Sequence, residues 1–416
     1  MASNLRVDQI IASTSDSVSI GTATFTGGLS GDITGLNVTG VITATTLNQN
    51  VSGVVTATSF NATSNITVGD SFINATSIGI GTTTTAGRNA GVGTATGAIV
   101  YNSTSNRIEV YIGNRWRSIG YTDTVTETLT YSYTGSDQAL TIPASANYVN
   151  ATIYAWGAGG GSTPVVSDPR NGGGGGFAQA TISVSPGEQF VVVVGEGGLG
   201  FGAAAPGSTG TYGGGGASGA AGYSGEGGGL SGLFQGTGTI VFGNPAYPGT
   251  PSQPRAIVIA GGGGGSGVPG NGGAGGGETG GNGTGPGTAG QGGTQSAGGT
   301  GGNPGQGNAA PPGGALFGGS PLSTGDGGGG GGGGGGYYGG GGGSNGDTPT
   351  GNNAGGGGSG YVGGHPAYVA NSTINIAGSG TDVANSSSPY YSSSTGNGAS
   401  GGGNGQPGYV VIVLSD

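Results

Sequence analysis

The chain has 416 residues, of which 113 are glycine and 19 proline, and a formal net charge of −10. Its positive side is seven arginines with no lysine, and it has one histidine and no cysteine. That inventory excludes a basic surface able to displace counterions from nucleic acid, an attraction to an anionic bilayer face, a disulfide framework and a thiolate metal site.

Glycine plus proline is 113 + 19, or roughly a third of the chain, a share that usually marks low complexity or disorder. Charged residues, however, make up only 6%, whereas disordered segments are rich in charge. Unbroken glycine runs at 327–336 and 339–343 break any Gly-X-Y frame and exclude collagen. The expectation is an ordered chain whose fold leaves no room for side chains over much of its length. Residues 1–13 lack the basic and apolar segments of a secretory signal. The longest apolar stretches, 190–194 and 409–414, are too short to cross a bilayer. A protein made in a cytoplasm, without membrane insertion, and carried outside by assembly into a particle is expected.

In chain order, residues 1–97 carry an internal repeat: TGVITATTL at 39–47 returns as SGVVTATSF at 52–60, with echoes at 21–25 and 93–96. The β-branched content predicts short strands closed by turns. One such strand cannot bury its apolar face, so the repeats either stack as a solenoid or share the core of an intertwined oligomer. Their shortness and scarce large residues favour the oligomer. Val41, Ile42, Leu47, Val54, Val55 and Phe60 are then the candidate oligomerisation and attachment residues.

Residues 98–120 predict a small β-meander: strands over 96–102, 107–112 and 115–119 around turns at 103–106 and 113–114. Tyr101, Tyr111 and Trp116 are its expected core, with Arg115 and Arg117 on the opposite face by strand alternation. From 121 onward, strands are predicted at 125–133, 139–143, 148–156, 177–184, 189–194, 255–260 and 408–414. Glycine tracts adjoin them at Trp156, Val194, Ala260 and Tyr409.

A glycine tract in polyproline II geometry has three residues per turn and no internal hydrogen bonds. Packed side by side, such helices must exchange N–H···O bonds with their neighbours, because buried backbone polar groups are rarely left unpaired. Their core is then made of backbone, and the connecting loops collect at the ends of the bundle, where chemistry is free to vary.

Residues 141–149 (TIPASANYV), 153–161 (IYAWGAGGG), 172–177, 184–188 (VSPGE), 191–198, 258–265 (VIAGGGGG) and 408–412 (GYVVI) occur in that order. In that order they resemble the landmarks of the glycine-rich domain of bacteriophage tail-fibre and adhesin proteins, a likeness that covers 121–416. The arrangement also resembles a glycine-rich ectodomain region of some animal receptor kinases. More weakly, the N-terminal segments resemble shaft repeats of marine-phage fibres. The resemblance implies a β-sandwich joined to a lattice of polyglycine II helices, receptor-recognition loops at the far end, and no catalytic set. The fold class expected is therefore all-β: a β-repeat shaft over 1–97, a meander over 98–120, and a sandwich with a polyglycine II bundle over 121–416.

Inventory argues against an enzyme. His365 alone supplies neither a histidine metal site nor the base of a Ser-His-Asp set with recognisable partners. Carboxylates at Asp326, Asp347 and Asp382 suggest glycan cleavage only if two of them flank one bond, which spacing does not establish. The many Gly-x-Gly-x-x-Gly matches open no helix after a strand and carry no meaning. No cofactor or metal is expected. Binding fits better, because tyrosine among serine, asparagine and glycine is the composition of adaptable recognition surfaces. His365, Tyr368, Tyr390, Tyr391, Phe317 and Tyr247 are the candidate receptor-binding residues. The expected protein is a homotrimeric virion fibre. It joins other virion proteins through its N-terminus and meets a bacterial outer-surface receptor, protein or glycan, through its C-terminus. The alternative is a purely structural capsid, neck or tail fibre that binds no receptor.

Overall fold

The computed structural model describes residues 66–68, 71–73, 78–91, 96–119, 126–144, 148–164, 170–200, 203, 209–219, 223–243, 250–303, 309–321, 329–345, 352–363 and 365–416. The chain divides into two units, Met1–Ile119 and Gly120–Asp416. The repeat residues Val41, Ile42, Leu47, Val54, Val55 and Phe60 lie outside the described residues, as does Tyr247.

In the first unit, β1 (Ile66–Val68), β2 (Ser71–Ile73) and β3 (Ile78–Gly79) form one small antiparallel sheet. A second sheet is ordered β4-β5-β6-β7, from β4 (Thr82–Thr83), β5 (Ile99–Asn102), β6 (Arg107–Ile112) and β7 (Arg115–Ser118). The turns between β5, β6 and β7 place Asn106, Gly113 and Asn114 at positive φ, which asparagine and glycine tolerate. The one helix among the described residues, α1 (Thr85–Gly91), starts where the Thr84 Oγ1 accepts the Gly87 N–H at 3.0 Å, an N-cap bond. From α1, Arg88 reaches the buried Glu109 of β6, and the Asn102 amide donates to the same carboxylate at 3.1 Å.

The expected meander core needs one correction. Tyr111 and Trp116 are directly opposed, with ring centroids 5.4 Å apart. Tyr101, however, opposes Ile108, and that pair lies on the other face of the sheet. Tyr101 lies two residues from Ile99, so alternation puts both on the face that carries Val110, Arg115 and Arg117. The prediction grouped the aromatics by hydrophobicity and ignored strand parity. The Tyr101 face leaves Ile99, Ile108 and Ile112 exposed by 42–46%.

The second unit is all-β, built on two five-stranded antiparallel sheets. One is ordered β16-β11-β10-β17-β8, from β8 (Thr126–Ser132), β10 (Asn150–Trp156), β11 (Phe177–Ser183), β16 (Asn371–Ile376) and β17 (Tyr409–Ser415). The other is ordered β15-β14-β13-β12-β9, from β9 (Gln138–Thr141), β12 (Gln189–Val193), β13 (Ser231–Gln235), β14 (Ala256–Ala260) and β15 (Tyr361–Val362). Ile153, Ile182 and Ile412 from the first sheet meet Leu140, Phe190, Val192 and Leu233 from the second in one buried core.

Both sheets are covered on their outer faces too. Val191, Val193, Phe234 and Ile259 point away from the shared core and are covered by Leu316, Tyr212, Phe242, Tyr337 and Tyr361. On the far side of the first sheet, Trp156, Phe177 and Val411 lie under Val383, Tyr390 and Tyr391. This is why QFVVV and AIVIA read as continuous apolar runs, the pattern of strands buried on both faces. Sequence reading located seven of the ten strands of this unit; β13, β15 and β16 lack the apolar density that marks the others.

The glycine tracts extend these strands into a lattice. From Gly157 to Ser162, successive backbone N–H groups donate to Gly176, Gly229, Gln406, Gly173, Glu226 and Gly403. Residues three apart therefore address the same neighbouring tract, three residues further back along it, and three neighbours are addressed in rotation. Residues 225–230 do the same toward Ser266, Leu199, Gly216, Gly263, Glu196 and Gly213, as do 353–359 toward the tracts 338–344, 281–284 and 262–265. A period of three in hydrogen-bond direction is the signature of a threefold helix of polyproline II type, in which each bond leaves the helix. Some neighbours run antiparallel and others parallel: Gly263 and Ser266 donate to Ala158 and Gly161 in step. The space of a missing side chain is occupied by neighbouring backbone: a Cβ on Gly160 would lie 2.1 Å from the Gly264 carbonyl oxygen, and one on Gly357 2.0 Å from that of Ala274.

Candidate functional site

The lattice fixes where its loops fall. Each tract that continues a strand carries the chain away from the sheets: 157–162 from β10, 195–200 from β12, and 261–266 from β14. Tracts 172–176, 225–230 and 352–360 return it to β11, β13 and β15. At about 3.1 Å per residue, six residues reach about 19 Å from the sandwich. The described tract ends remote from the sheets, among them 162–164, 170–172, 200, 223–225, 266–271 and 284–288, form a distal end, and short turns at 277–279, 294–297, 315–317 and 337–338 lie on the sandwich side.

At the distal end, side chains take the place of the missing lattice neighbours. The Asn271 Oδ1 accepts the Asn171 N–H at 3.0 Å, and the Asn271 N–H donates to the Thr284 Oγ1 at 2.8 Å. The Asn404 Oδ1 accepts from the Gly200 N–H at 2.8 Å, the Ser162 Oγ from Gly402 at 2.8 Å, and the Asn353 Oδ1 from Gly287 at 3.0 Å. Each bond satisfies a backbone donor where a tract runs out, as a cap does for an α-helix. The loops are thereby tied to one another and to the lattice, while Pro164, Tyr223, Asn271, Thr284 and Asn404 remain exposed. A depression of about 270 Å³ opens between Asn171, Asn271 and the Ser379–Asp382 turn. The exposed distal side chains Asn271, Thr284 and Asn404 are polar and uncharged, suited to directional hydrogen bonds rather than ionic attraction.

The predicted receptor-binding residues lie elsewhere. Tyr368 is buried: its hydroxyl donates to Glu188 at 2.5 Å and its ring lies 5.6 Å from that of Phe190. Burial and the Glu188 carboxylate push its phenol well above the ordinary tyrosine range. His365 is buried against the Tyr368 ring, its Nδ1 accepting the Ala367 N–H at 3.1 Å, and burial holds its imidazole below the ordinary value. Neither residue offers a recognition face, which corrects the expectation for this pair. The loop composition that suggested exposure sits over the open end of the core, and the segment fills it.

Tyr390 and Tyr391 are half-buried. Tyr390 lies 4.7 Å from the Tyr154 ring and Tyr391 6.0 Å from that of Trp156, both covering the first sheet. Phe317 lies in the sandwich-side turn bridged to Gly314. Tyr337 stacks on Tyr361 with centroids 4.0 Å apart, over the second sheet. The described candidates thus split between two outer faces and the core, with His365 beside Tyr368 and Tyr390 and Tyr391 together over the first sheet. Tyr223 and the asparagines at the tract ends escaped the sequence reading. A signal for the asparagines was present: isolated Asn or Thr where a glycine tract ends away from a strand supplies the acceptor that a lattice end requires.

Among the described residues no cluster of histidine, aspartate and glutamate is arranged to hold a metal ion. Among the described residues Asp382 has no second carboxylate in its depression; Asp326 and Asp347 lie outside the described residues. Compared with known proteins, the chain matches no family model and no curated sequence.

Proposed function

We propose that the chain is a virion fibre protein, a phage tail fibre or adhesin, whose distal loops recognise the surface of a bacterial host. The observation that carries the reading is the mechanical arrangement of the second unit. A core made of backbone hydrogen bonds holds side-chain-bearing loops together at the end furthest from the sheets, with asparagine and threonine caps tying them in place. Rigid presentation lowers the ordering cost of binding, so a small polar surface suffices for recognition. The ordered landmarks shared with glycine-rich tail-fibre domains point the same way.

In this reading three copies join through the first unit and its N-terminal repeats, where other virion proteins are also met. The exposed isoleucine face of the β4-β5-β6-β7 sheet supports association with further copies of the chain.

The test is adsorption. Fluorescently labelled full-length protein should bind saturably to host cells and to outer-membrane extracts, and excess protein should block infection. Tyr223→Ala should weaken adsorption while leaving the protein folded. Protein that adsorbs to no host yet is present in purified particles would establish the purely structural alternative instead.

A further inference from the structure

A second candidate binding site lies on the side wall of the second unit, away from the distal loops. A cleft of about 610 Å³ is lined by Tyr133, Glu196, Tyr212, Thr239, Val241 and Phe242, among others. Three aromatic rings stand in a row: Tyr133 and Tyr212 have centroids 6.2 Å apart, and Tyr212 and Phe242 meet edge to face at 5.6 Å. All three line the cleft and are half-buried.

The rings are held by two carboxylates. Asp137 accepts the Tyr212 hydroxyl at 2.5 Å and the Ile240 N–H at 2.7 Å. Glu196 accepts the Tyr212 N–H at 2.9 Å and is hydrogen-bonded to the Tyr133 phenol. A carboxylate has about four acceptor positions, so each retains acceptor capacity; Glu196 lines the cleft and Asp137 the adjoining depression. Burial, reinforced by Glu196, pushes the Tyr133 phenol up to about 12.

The cleft continues past Thr239 into a depression of about 220 Å³ along the edge strand β9, lined by Gln138 and Gln189. The shared rim at 237–239 is pinned from below: the Arg255 guanidinium donates to the carbonyls of Gln235 at 2.8 Å and Thr237 at 3.1 Å.

We propose that this groove binds a chain of neutral sugars. A pyranose has an apolar C–H face and a rim of hydroxyl donors. A row of aromatic faces meets the first, and carboxylate and amide oxygens meet the second. The combined groove has the size of a ligand site for several rings. Glu196 and Asp137 repel acidic sugars, and Arg255, the cation that pins the rim, is committed to backbone carbonyls. A quaternary ammonium ion would also answer to aromatic rings and acids. It would leave most of the volume and the amide-lined extension unused.

The test uses purified full-length protein and immobilised neutral tri- and tetrasaccharides of glucose, galactose, mannose and N-acetylglucosamine, with uronic-acid glycans and choline as comparisons. Saturable binding to at least one neutral chain is expected, weakened about tenfold or more by Phe242→Ala and by Glu196→Gln, with no binding of acidic glycans. Thr239→Val alters only the exposed rim, and the same direction is expected if Phe242→Ala fails to fold. Tyr223→Ala should leave this binding unchanged, so it stands or falls separately from recognition by the distal loops. Failure of every neutral glycan to bind, parent-like binding by folded variants, or tighter binding of choline than of any sugar would overturn the proposal.

Discussion

Gly332 offers the sharpest test of a backbone-packed core. It lies in the 329–336 tract, fully surrounded; its N–H donates to the Gly225 carbonyl at 3.0 Å and its carbonyl accepts from Gly265 at 2.8 Å. A Cβ there would lie 2.1 Å from the Gly216 carbonyl oxygen and 2.7 Å from that of Ala217. Ordinary contact needs well over 3 Å, so a single methyl drives two tracts apart by about 1 Å. Overpacking alone costs roughly 1–3 kcal/mol. Stretching the bonds on either side adds about 1 kcal/mol each. Against this, alanine restricts the unfolded chain and returns about 0.4–1 kcal/mol. The balance for Gly332→Ala is a loss of about 3 kcal/mol, or roughly 5 °C in melting temperature for a unit of this size; Gly332→Val should cost more. Gly403→Ala is the control, since the atom nearest its added Cβ is the Ser400 carbonyl oxygen at 3.4 Å. It should be neutral or slightly stabilising. The measurement is calorimetric unfolding of both variants beside the parent. Equal melting of Gly332→Ala and the parent would refute the packed lattice at this tract.

Further outcomes follow from the two units. His365 is the chain's one histidine, so its imidazole resonance is unambiguous by proton NMR and should titrate below 6.5 because burial disfavours the charged form. With the folded value depressed, its contribution to stability is full above pH 6.5 and is lost as pH falls through the folded value; His365→Gln should remove that slope. At Glu109, burial pushes the carboxyl up. Hydrogen bonds from Arg88, Asn102 and Ser105, with the Arg88 charge, outweigh burial and hold it below 4.5. Its stabilisation is therefore present above pH 4.5 and is lost on further acidification, and Glu109→Gln should flatten the acid limb of first-unit unfolding. Tyr391→Ala should lower stability by about 2 kcal/mol by uncovering Trp156, visible as a red-shifted tryptophan emission. Ile108→Asp should reduce the mass measured by light scattering if further copies cover the isoleucine face.

The sequence by itself determined the all-β class, the rich strands of the second unit, and the three-per-turn geometry open to glycine tracts. These are local consequences of β-branched alternation and of a residue that brings no side chain. Only the tertiary structure decided what covers the faces of those strands. Tyr390 and Tyr391 sit in a serine-rich segment that reads as an exposed loop, yet both are recruited by a sheet face formed by strands distant in sequence. Parity between strands separated Tyr101 from Trp116, a matter of register that composition does not carry. The lattice shows the same division. Any glycine run permits the threefold helix, but which tract lies beside which, parallel or antiparallel, is set by the strands from which the tracts issue. Glycine tracts have no side chains to encode their neighbours, so the sandwich supplies the address and the loops are placed by it.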